Sequence, residues 1–469
     1  MRPILAGAVT LATLLGAAAG CKAIGPAVEP PAPATIYTFG GASSPANDGA
    51  EPKGTLTAAT VGGSTVLFGR TAIGGAANGC GTIFSIHPDG SSYQVIHRFG
   101  GPDGCNPRHD AMVLNPDDGN FYATTQGVNQ TIPSPPPPNT YGNQGQIFSF
   151  TPGTTVLASV GAIHVFPDPP VTSPPDGAQQ HSSFSIDPLT GVLYGQSAAG
   201  GASGDGLLYA VNPDGTGFTP LHSFSKDTGT DPHGRIVLSG GVLYGIARTN
   251  GATSALPSGY GYGTVFSFSP TSPLSDGPVT VLHTFTGAPN DGALSDHGYV
   301  TPVAVGGKTI LFGMTQCGGT GTGKDACSAS DGGGAGVLFQ IDPTSTPGSG
   351  AAFSIVHSFQ GTGQGDGAAP YGSLMFDGRY LYGTTSAGGA FDKGTVFRVA
   401  PVPFGGTSVP QILYHLGTSA NDGIKPIDNV IKVGNTLYGM TVYGGASVPS
   451  PDNPSVTGNG SIFAVPLPD

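Results

Sequence analysis

A unit of short strand-like runs recurs along the whole chain, and this limits the fold more than any other feature. Its cleanest copy lies between Tyr371 and Val399. Three runs rich in β-branched and aromatic residues, Leu374 to Phe376, Tyr380 to Thr385 and Thr395 to Val399, are separated by Asp-Gly and Gly-Gly turns, which is strand punctuation. Ile355 to Phe359 precedes them as a fourth run, and no helical periodicity lies between. The unit reads as a four-stranded sheet.

Three markers count the copies. A His-x-Phe strand ends at Phe39, Phe99, Phe166, Phe224, Phe285, Phe359 and Leu416. A Tyr-Gly strand carries its aromatic at Phe68, Tyr122, Tyr194, Tyr244, Phe312, Tyr382 and Tyr438, and a Gly-x-x-Phe strand opens at Gly81, Gly145, Gly206, Gly263, Gly336, Gly394 and Gly460. Copies of about sixty residues are too long for solenoid coils and suit propeller blades. The expected fold is all-β, a seven-bladed β-propeller of four-stranded blades, whose radial closure leaves few sheet edges. The first strand, Ile36 to Phe39, is of the outer type and the last, Ser461 to Val465, of the Gly-x-x-Phe type, so the N-terminal strand should pair into the last blade. Residues 36–469 would then form a single domain.

Gly (80) and Pro (44) make up about a quarter of the chain, a level that suggests disorder only where it lacks a period. Charged residues are 9% and the net charge is −12, which leaves no electrostatic footprint for nucleic acid. Residues 1–21 join Met1-Arg2 to an apolar run from Ile4 to Ala19 and to Ala18-Ala19-Gly20-Cys21. This is a secretory signal pattern, and Cys21 after Gly20 resembles a bacterial lipobox. A monomeric exported protein is expected, either lipidated at Cys21 in the bacterial cell envelope or cleaved and secreted, with 22–35 as a Pro-rich linker. Cys80, Cys105, Cys317 and Cys327 remain, an even number that suits disulfides in an exported protein. Three pairings are open, and closeness in sequence favours Cys80–Cys105 and Cys317–Cys327.

The order His-x-Phe, Asp-Gly-x-x-Pro, Tyr-Gly-Thr-Thr, Gly-Gly, Gly-Thr-Val-Phe resembles the GloVer tandem-repeat family of bacterial exported proteins, from about Ile36 to Pro466. The resemblance implies an exported repeat protein and no settled activity.

Five histidines, His97, His164, His222, His283 and His357, occupy one outer-strand position, so they should spread around the rim as structural groups. The Asp-Gly turns at Asp48, Asp103, Asp176, Asp291, Asp366 and Asp422 have a similar structural reading. More informative is the column just past the Pro of Asp-Gly-x-x-Pro, where the innermost strand begins: Lys53, Arg108, His181, His233, His297, Tyr371 and Ile427. The resemblance implies an aromatic here, which only Tyr371 keeps. Inner-strand starts ring the mouth of a propeller channel, so these side chains should converge. His109 adjoins Arg108, and two positions on come Asp110, Ser183, Arg235, Tyr299 and Asn429. Expanded loops at Gln126 to Gln144, Arg248 to Tyr262, Gln316 to Ala335 and Val442 to Asn459 fall on this face, where binding loops commonly gather.

Three functions suit the column. A polysaccharide lyase needs a base or acid, here His181, His233, His297 or Tyr371, and a cation to neutralise a uronate carboxylate, here Arg108 or Lys53. His109, Arg235 and Tyr299 would add contacts to an anionic polysaccharide. A non-catalytic module binding surface glycan or protein is the alternative. A divalent metal on His181, His233 and His297 is the third, imidazole suiting Zn, Mn or Ni, with no flanking carboxylate pattern to support it. Paired carboxylates for glycoside hydrolysis, a Gly-x-Ser-x-Gly elbow and a phosphate-cradling Gly-Lys-Thr loop are absent.

Overall fold

Each run of β-branched and aromatic residues pairs antiparallel with the next in the computed structural model, giving seven four-stranded sheets in a ring. The structure describes residues 32–468, apart from 41–46, 76–78, 101–102, 128–144, 154, 158, 167–176, 252–260, 323–325, 347–351, 362–364, 420 and 446–457. The signal-like segment and Cys21 lie outside the described residues. Blade 1 contains, from the axis outward, Thr57–Val61, Ser64–Thr71, Thr82–Ile86 and Gln94–Arg98. Blades 2 to 6 repeat this order, with inner strands starting at Val113, Ser185, Val237, Thr301 and Met375. Blade 7 takes Ile431–Val433, Thr436–Thr441 and Ser461–Pro466, and its outer strand is the N-terminal Ala34–Thr38. Ala34 faces Ala464 and Thr38 faces Ser461. This strand starts two residues ahead of the boundary at 36 expected from sequence.

The repeated motifs are blade-to-blade contacts. Where an outer strand ends in Phe, as all but the one ending at Leu416 do, that ring packs against the aromatic of a neighbouring Gly-x-x-Phe strand, with centroids 5.5 Å apart for Phe99–Phe148, 5.0 Å for Phe224–Phe266 and 5.4 Å for Phe285–Phe339. Burying such a ring contributes roughly 1.5–3 kcal/mol, and the edge-to-face contact about 0.5–1.5 kcal/mol more. The Gly of Tyr-Gly makes room for that ring: a Cβ on Gly313 would lie 2.4 Å from Phe339 Cζ.

The outer-strand histidines and the Asp-Gly turns join into one clip. His97 Nε2 lies 2.7 Å from Asp103, His283 Nε2 3.0 Å from Asp291 and His357 Nε2 2.8 Å from Asp366. The same carboxylates accept the backbone N–H of Gly100, Thr286 and Gln360. Tyr37 and Tyr414 replace the imidazole on Asp48 and Asp422, both at 2.7 Å. The partner expected for His164, Asp176, lies outside the described residues. In blade 3 Thr228 stands where Asp would be. It accepts the Ser225 N–H at 3.0 Å, while His222 turns Nδ1 to the Gly277 carbonyl at 2.9 Å and leaves Nε2 buried without a partner. The expected disulfides both form, with Cα atoms 4.5 Å apart for Cys80–Cys105 and 5.7 Å for Cys317–Cys327, inside the usual range.

Candidate functional site at the channel mouth

Each repeat enters its inner strand through the Asp-Gly-x-x-Pro turn, whose fourth residue has positive φ: Glu51, Asn106, Gln179, Asp231, Leu294, Ala369 and Lys425. Its carbonyl accepts the backbone N–H of the residue just past the second strand, as in Asp231 to Arg248 at 3.2 Å and Leu294 to Gln316 at 2.8 Å. That column, Ala72, Gln126, Ala198, Arg248, Gln316, Ser386 and Val442, therefore stands beside the mouth.

The turns differ in length. The buried apolar residue that anchors the inner strand lies five positions after the positive-φ residue in most repeats, as in Asp231 to Ile236 and Ala369 to Leu374. It lies six positions after it in repeats 2 and 5, Asn106 to Met112 and Leu294 to Val300. This corrects the column read from sequence. Counted from the turn, Asp296 rather than His297 aligns with His233; counted from the strand, His109 rather than Arg108 does. The extra residue places Arg108 with His109, and Asp296 with His297, at the mouth.

The imidazoles converge as expected, and His109 joins them. His109 stacks on His297 with centroids 3.8 Å apart and planes at 13°, and lies 5.7 Å from His181. His181 meets His233 at 4.1 Å, His233 lies 5.5 Å from His297, and His297 lies 6.1 Å from the Tyr371 ring. Carboxylates, which the sequence reading did not attach to this group, organise one side of it. Asp231 Oδ1 lies 2.8 Å from His233 Nδ1, and its Oδ2 accepts from Arg248 Nη1 at 3.2 Å. Arg248 Nε reaches Asp296 Oδ1 at 2.6 Å, and Asp296 Oδ2 is 3.7 Å from His297 Nε2. Gln126 Nε2 meets His181 Nε2 at 2.7 Å while its Oε1 accepts from Asn106 at 2.9 Å, and Gln316 donates to the Tyr371 hydroxyl at 2.6 Å.

Burial sets the protonation states. It pushes His109 and His181 well below the ordinary imidazole value, reinforced by neighbouring imidazoles and by Arg108. It takes His297 down to about 4, against the pull of Asp296. It raises Tyr371 to about 12, helped by Asp296. Asp231 and Asp296, despite burial, stay below the usual carboxylate value because His233, His297 and Arg248 face them. His109, His181 and His297 thus favour the neutral imidazole, and Tyr371 keeps its proton, beside fixed charges.

The remaining expected residues stand apart from the imidazoles. Lys53 pairs with Glu51 at 2.6 Å. Arg235 and Tyr299 belong to a second group further along the inner strands, where Arg235 lies 5.9 Å over the Tyr299 ring and Asn429 donates to Tyr299 at 2.7 Å. There Asp428 accepts the N–H groups of Gly54 at 2.7 Å and Asp110 at 3.3 Å, and burial with the nearby Asp110 charge raises it to about 7. Arg70 donates to the carbonyls of His109 at 2.8 Å and Asp110 at 2.9 Å.

Residues 138–346 match a sequence model of the Gloeobacter/Verrucomicrobia repeat. This stretch, from the outer half of blade 2 into blade 5, carries the Gloeobacter/Verrucomicrobia repeat. No curated protein matches the chain significantly. Among solved structures, the chain is similar to a GH74 xyloglucanase from Xanthomonas campestris, at 13% identity over 92% of this chain and 53% of that one, TM-score 0.48. It is also similar to the polysaccharide lyase Uly1, at 12% identity over 92% of each chain and TM-score 0.46. A Trypanosoma rangeli sialidase in complex with sialic acid gives 13% identity over 87% of this chain and 69% of that one, TM-score 0.40. The chain spans about half the length of the xyloglucanase. Likeness at this level carries no information on activity.

The residues that sequence reading missed are Asp231, Asp296, Arg248 and Gln316 within the matched repeats, and Gln126 just ahead of them. The last three had a visible signal: a column otherwise holding Ala, Ser or Val carries long polar side chains in the blades that face the histidines.

Proposed function

We propose that the chain is an exported propeller that acts on an anionic polysaccharide at this mouth, by β-elimination at a uronate residue. The observation that supports this reading is the gathering of four imidazoles, a phenol and the guanidiniums of Arg108 and Arg248 in one place. In β-elimination a base removes the proton α to the carboxylate, the electron pair forms the C4–C5 double bond, the C4–O bond breaks, and the departing oxygen takes a proton. Arg108 and Arg248 oppose the charge that grows on the carboxylate. Gln316 donates into the Tyr371 oxygen, so the phenol keeps its own proton to give to the leaving oxygen. His181 accepts the Gln126 amide hydrogen through Nε2 when that amide is oriented as drawn. The base then falls to His109, His233 or His297. Lys53 adds a cation at the rim for the polymer, and Cys21 would hold the protein at the envelope by a lipid.

Hydrolysis is a weaker reading. Asp231 and Asp296 are both tied to Arg248, so neither is a ready proton donor of the kind glycoside hydrolysis requires.

The test is to incubate the full chain with uronate-containing polysaccharides and follow the ultraviolet absorbance of the unsaturated product. Product is expected, falling by about 100-fold or more in Tyr371→Phe. Retained binding with no product from any polyanion would sink the elimination and leave a glycan-binding module in its place.

A further inference from the structure

The geometry points to a divalent metal site formed by His233, Asp296 and His297. One ligand atom from each lies within 4.8 Å of the others, and the closest carboxylate–imidazole pair, Asp296 Oδ2 and His297 Nε2, is already at 3.7 Å. Atoms that share a zinc-like ion at about 2.1 Å stand about 3–3.5 Å apart, so side-chain adjustments of about an ångström or two close the set.

The surroundings are built for such an ion. Asp231 Oδ1 lies 2.8 Å from His233 Nδ1 as an ion-pair contact that lacks the alignment of a hydrogen bond, and with the carboxylate on that side Nε2 is the nitrogen free to face a ligand. A carboxylate behind a ligating imidazole is the usual outer partner of a metal-bound histidine. Arg248 occupies Asp296 Oδ1 at 2.6 Å and leaves Oδ2 for the ion. His297 Nδ1 is buried with no hydrogen-bond partner. Asp231, Asp296 and Arg248 together carry one negative charge, which a dication would offset. The extra residue in the repeat 5 turn is what brings Asp296 and His297 to the mouth together, so the set exists because this repeat departs from the others. His181, expected from sequence as the third ligand, is instead engaged by Gln126 at 2.7 Å, and Asp296 takes its place. Two imidazoles and one carboxylate suit Zn, Mn, Co or Ni and leave positions open for a substrate carboxylate.

This deepens the elimination reading, on which the role of the ion rests but its binding does not. The ion would share the neutralisation of the uronate carboxylate with Arg108. With His233 and His297 engaged, His109 is the imidazole left to take the proton.

The test uses the full chain purified without a histidine tag, stripped with a chelator and titrated calorimetrically with Zn(II), Mn(II) and Co(II) in turn. Visible absorption bands of Co(II) report on nitrogen and oxygen ligation. Saturable binding of a single ion is expected for at least one of the three, lost in Asp296→Asn and His297→Ala while circular dichroism is unchanged. Asp231→Asn should weaken binding about 10–100-fold, and it decides the matter if the ligand variants fail to fold. No saturable binding by the wild-type chain, or equal binding by these variants, overturns the site. Chelator-insensitive elimination overturns the ion's role in the chemistry, whereas metal binding without any elimination upholds the site and removes the elimination reading.

Discussion

Histidines at the rim and histidines at the mouth arise from the same repeat and behave in opposite ways. A rim histidine such as His283 finds its carboxylate, Asp291, eight residues along, at the junction between two blades. A mouth histidine such as His297 finds its nearest ring partner, His109, three blades away. Where a partner comes from the repeat itself, copies can stay alike and the contact is made around the ring. Where partners come from other blades, the copies must differ for anything to form. Divergence between repeats therefore marks the site, and uniformity marks the scaffold.

The largest effect should come from breaking a rim clip. The Asp291 carboxylate, buried, accepts from His283 Nε2, the Thr286 N–H and hydroxyl, and the Gly292 N–H. Asp291→Ala leaves these donors without a partner and should cost about 3–5 kcal/mol, read as a drop in the urea unfolding midpoint. His297→Ala removes a ring whose Nδ1 has no hydrogen-bond partner and should change stability by about 1 kcal/mol or less. Equal losses from the two variants would erase the distinction between scaffold and site.

The scaffold was legible because it is repeated. Phe285, Phe339 and Gly313 recur at one position in nearly every blade, so the strand order and the blade number could be read from spacing, whereas the disulfide pairing was only favoured, by closeness in sequence. The mouth was legible only in part. His181, His233, His297 and Tyr371 stand out in a column, but the single-residue insertions before Met112 and before Val300 are invisible without knowing which apolar residue anchors the inner strand. His109 was therefore read as a neighbour of the column rather than a member, and Asp296 was passed over. Arg248 and Asp231 reach the group through a turn carbonyl contact that no linear motif announces.

The group further along the inner strands holds a buried carboxyl that neither the mouth nor the rim shares. Asp428 faces Asp110, Arg70 and the Gly54 N–H, and its pKa is raised from 3.8 to about 7. In the unfolded chain it ionises at its ordinary value, so between pH 3.8 and about 7 the folded state holds a proton that the unfolded state has lost. Its contribution to stability is therefore full below that window and is lost as pH rises through it, at no more than about 1.4 kcal/mol per pH unit. Asp428→Asn should flatten this part of the pH profile, measured by urea midpoints at several pH values. Parallel profiles for variant and wild type would show that this carboxyl does not titrate in the window.

The smallest expected effect comes from repairing the one described clip that lacks its carboxylate. Thr228 keeps the backbone half of the clip, accepting the Ser225 N–H, but its hydroxyl is too short to meet His222, whose Nε2 stays buried and unpartnered. Thr228→Asp should supply the missing acceptor in the geometry that Asp291 and Asp366 already use, and raise stability by about 1 kcal/mol, a typical net value for one intramolecular hydrogen bond. The gain should vanish in a His222→Phe background, where the new carboxylate has no imidazole to meet. A gain that persists there would mean that the backbone N–H, not the histidine, is what the aspartate of the repeat serves, and the rim would then owe its histidines to ring packing alone.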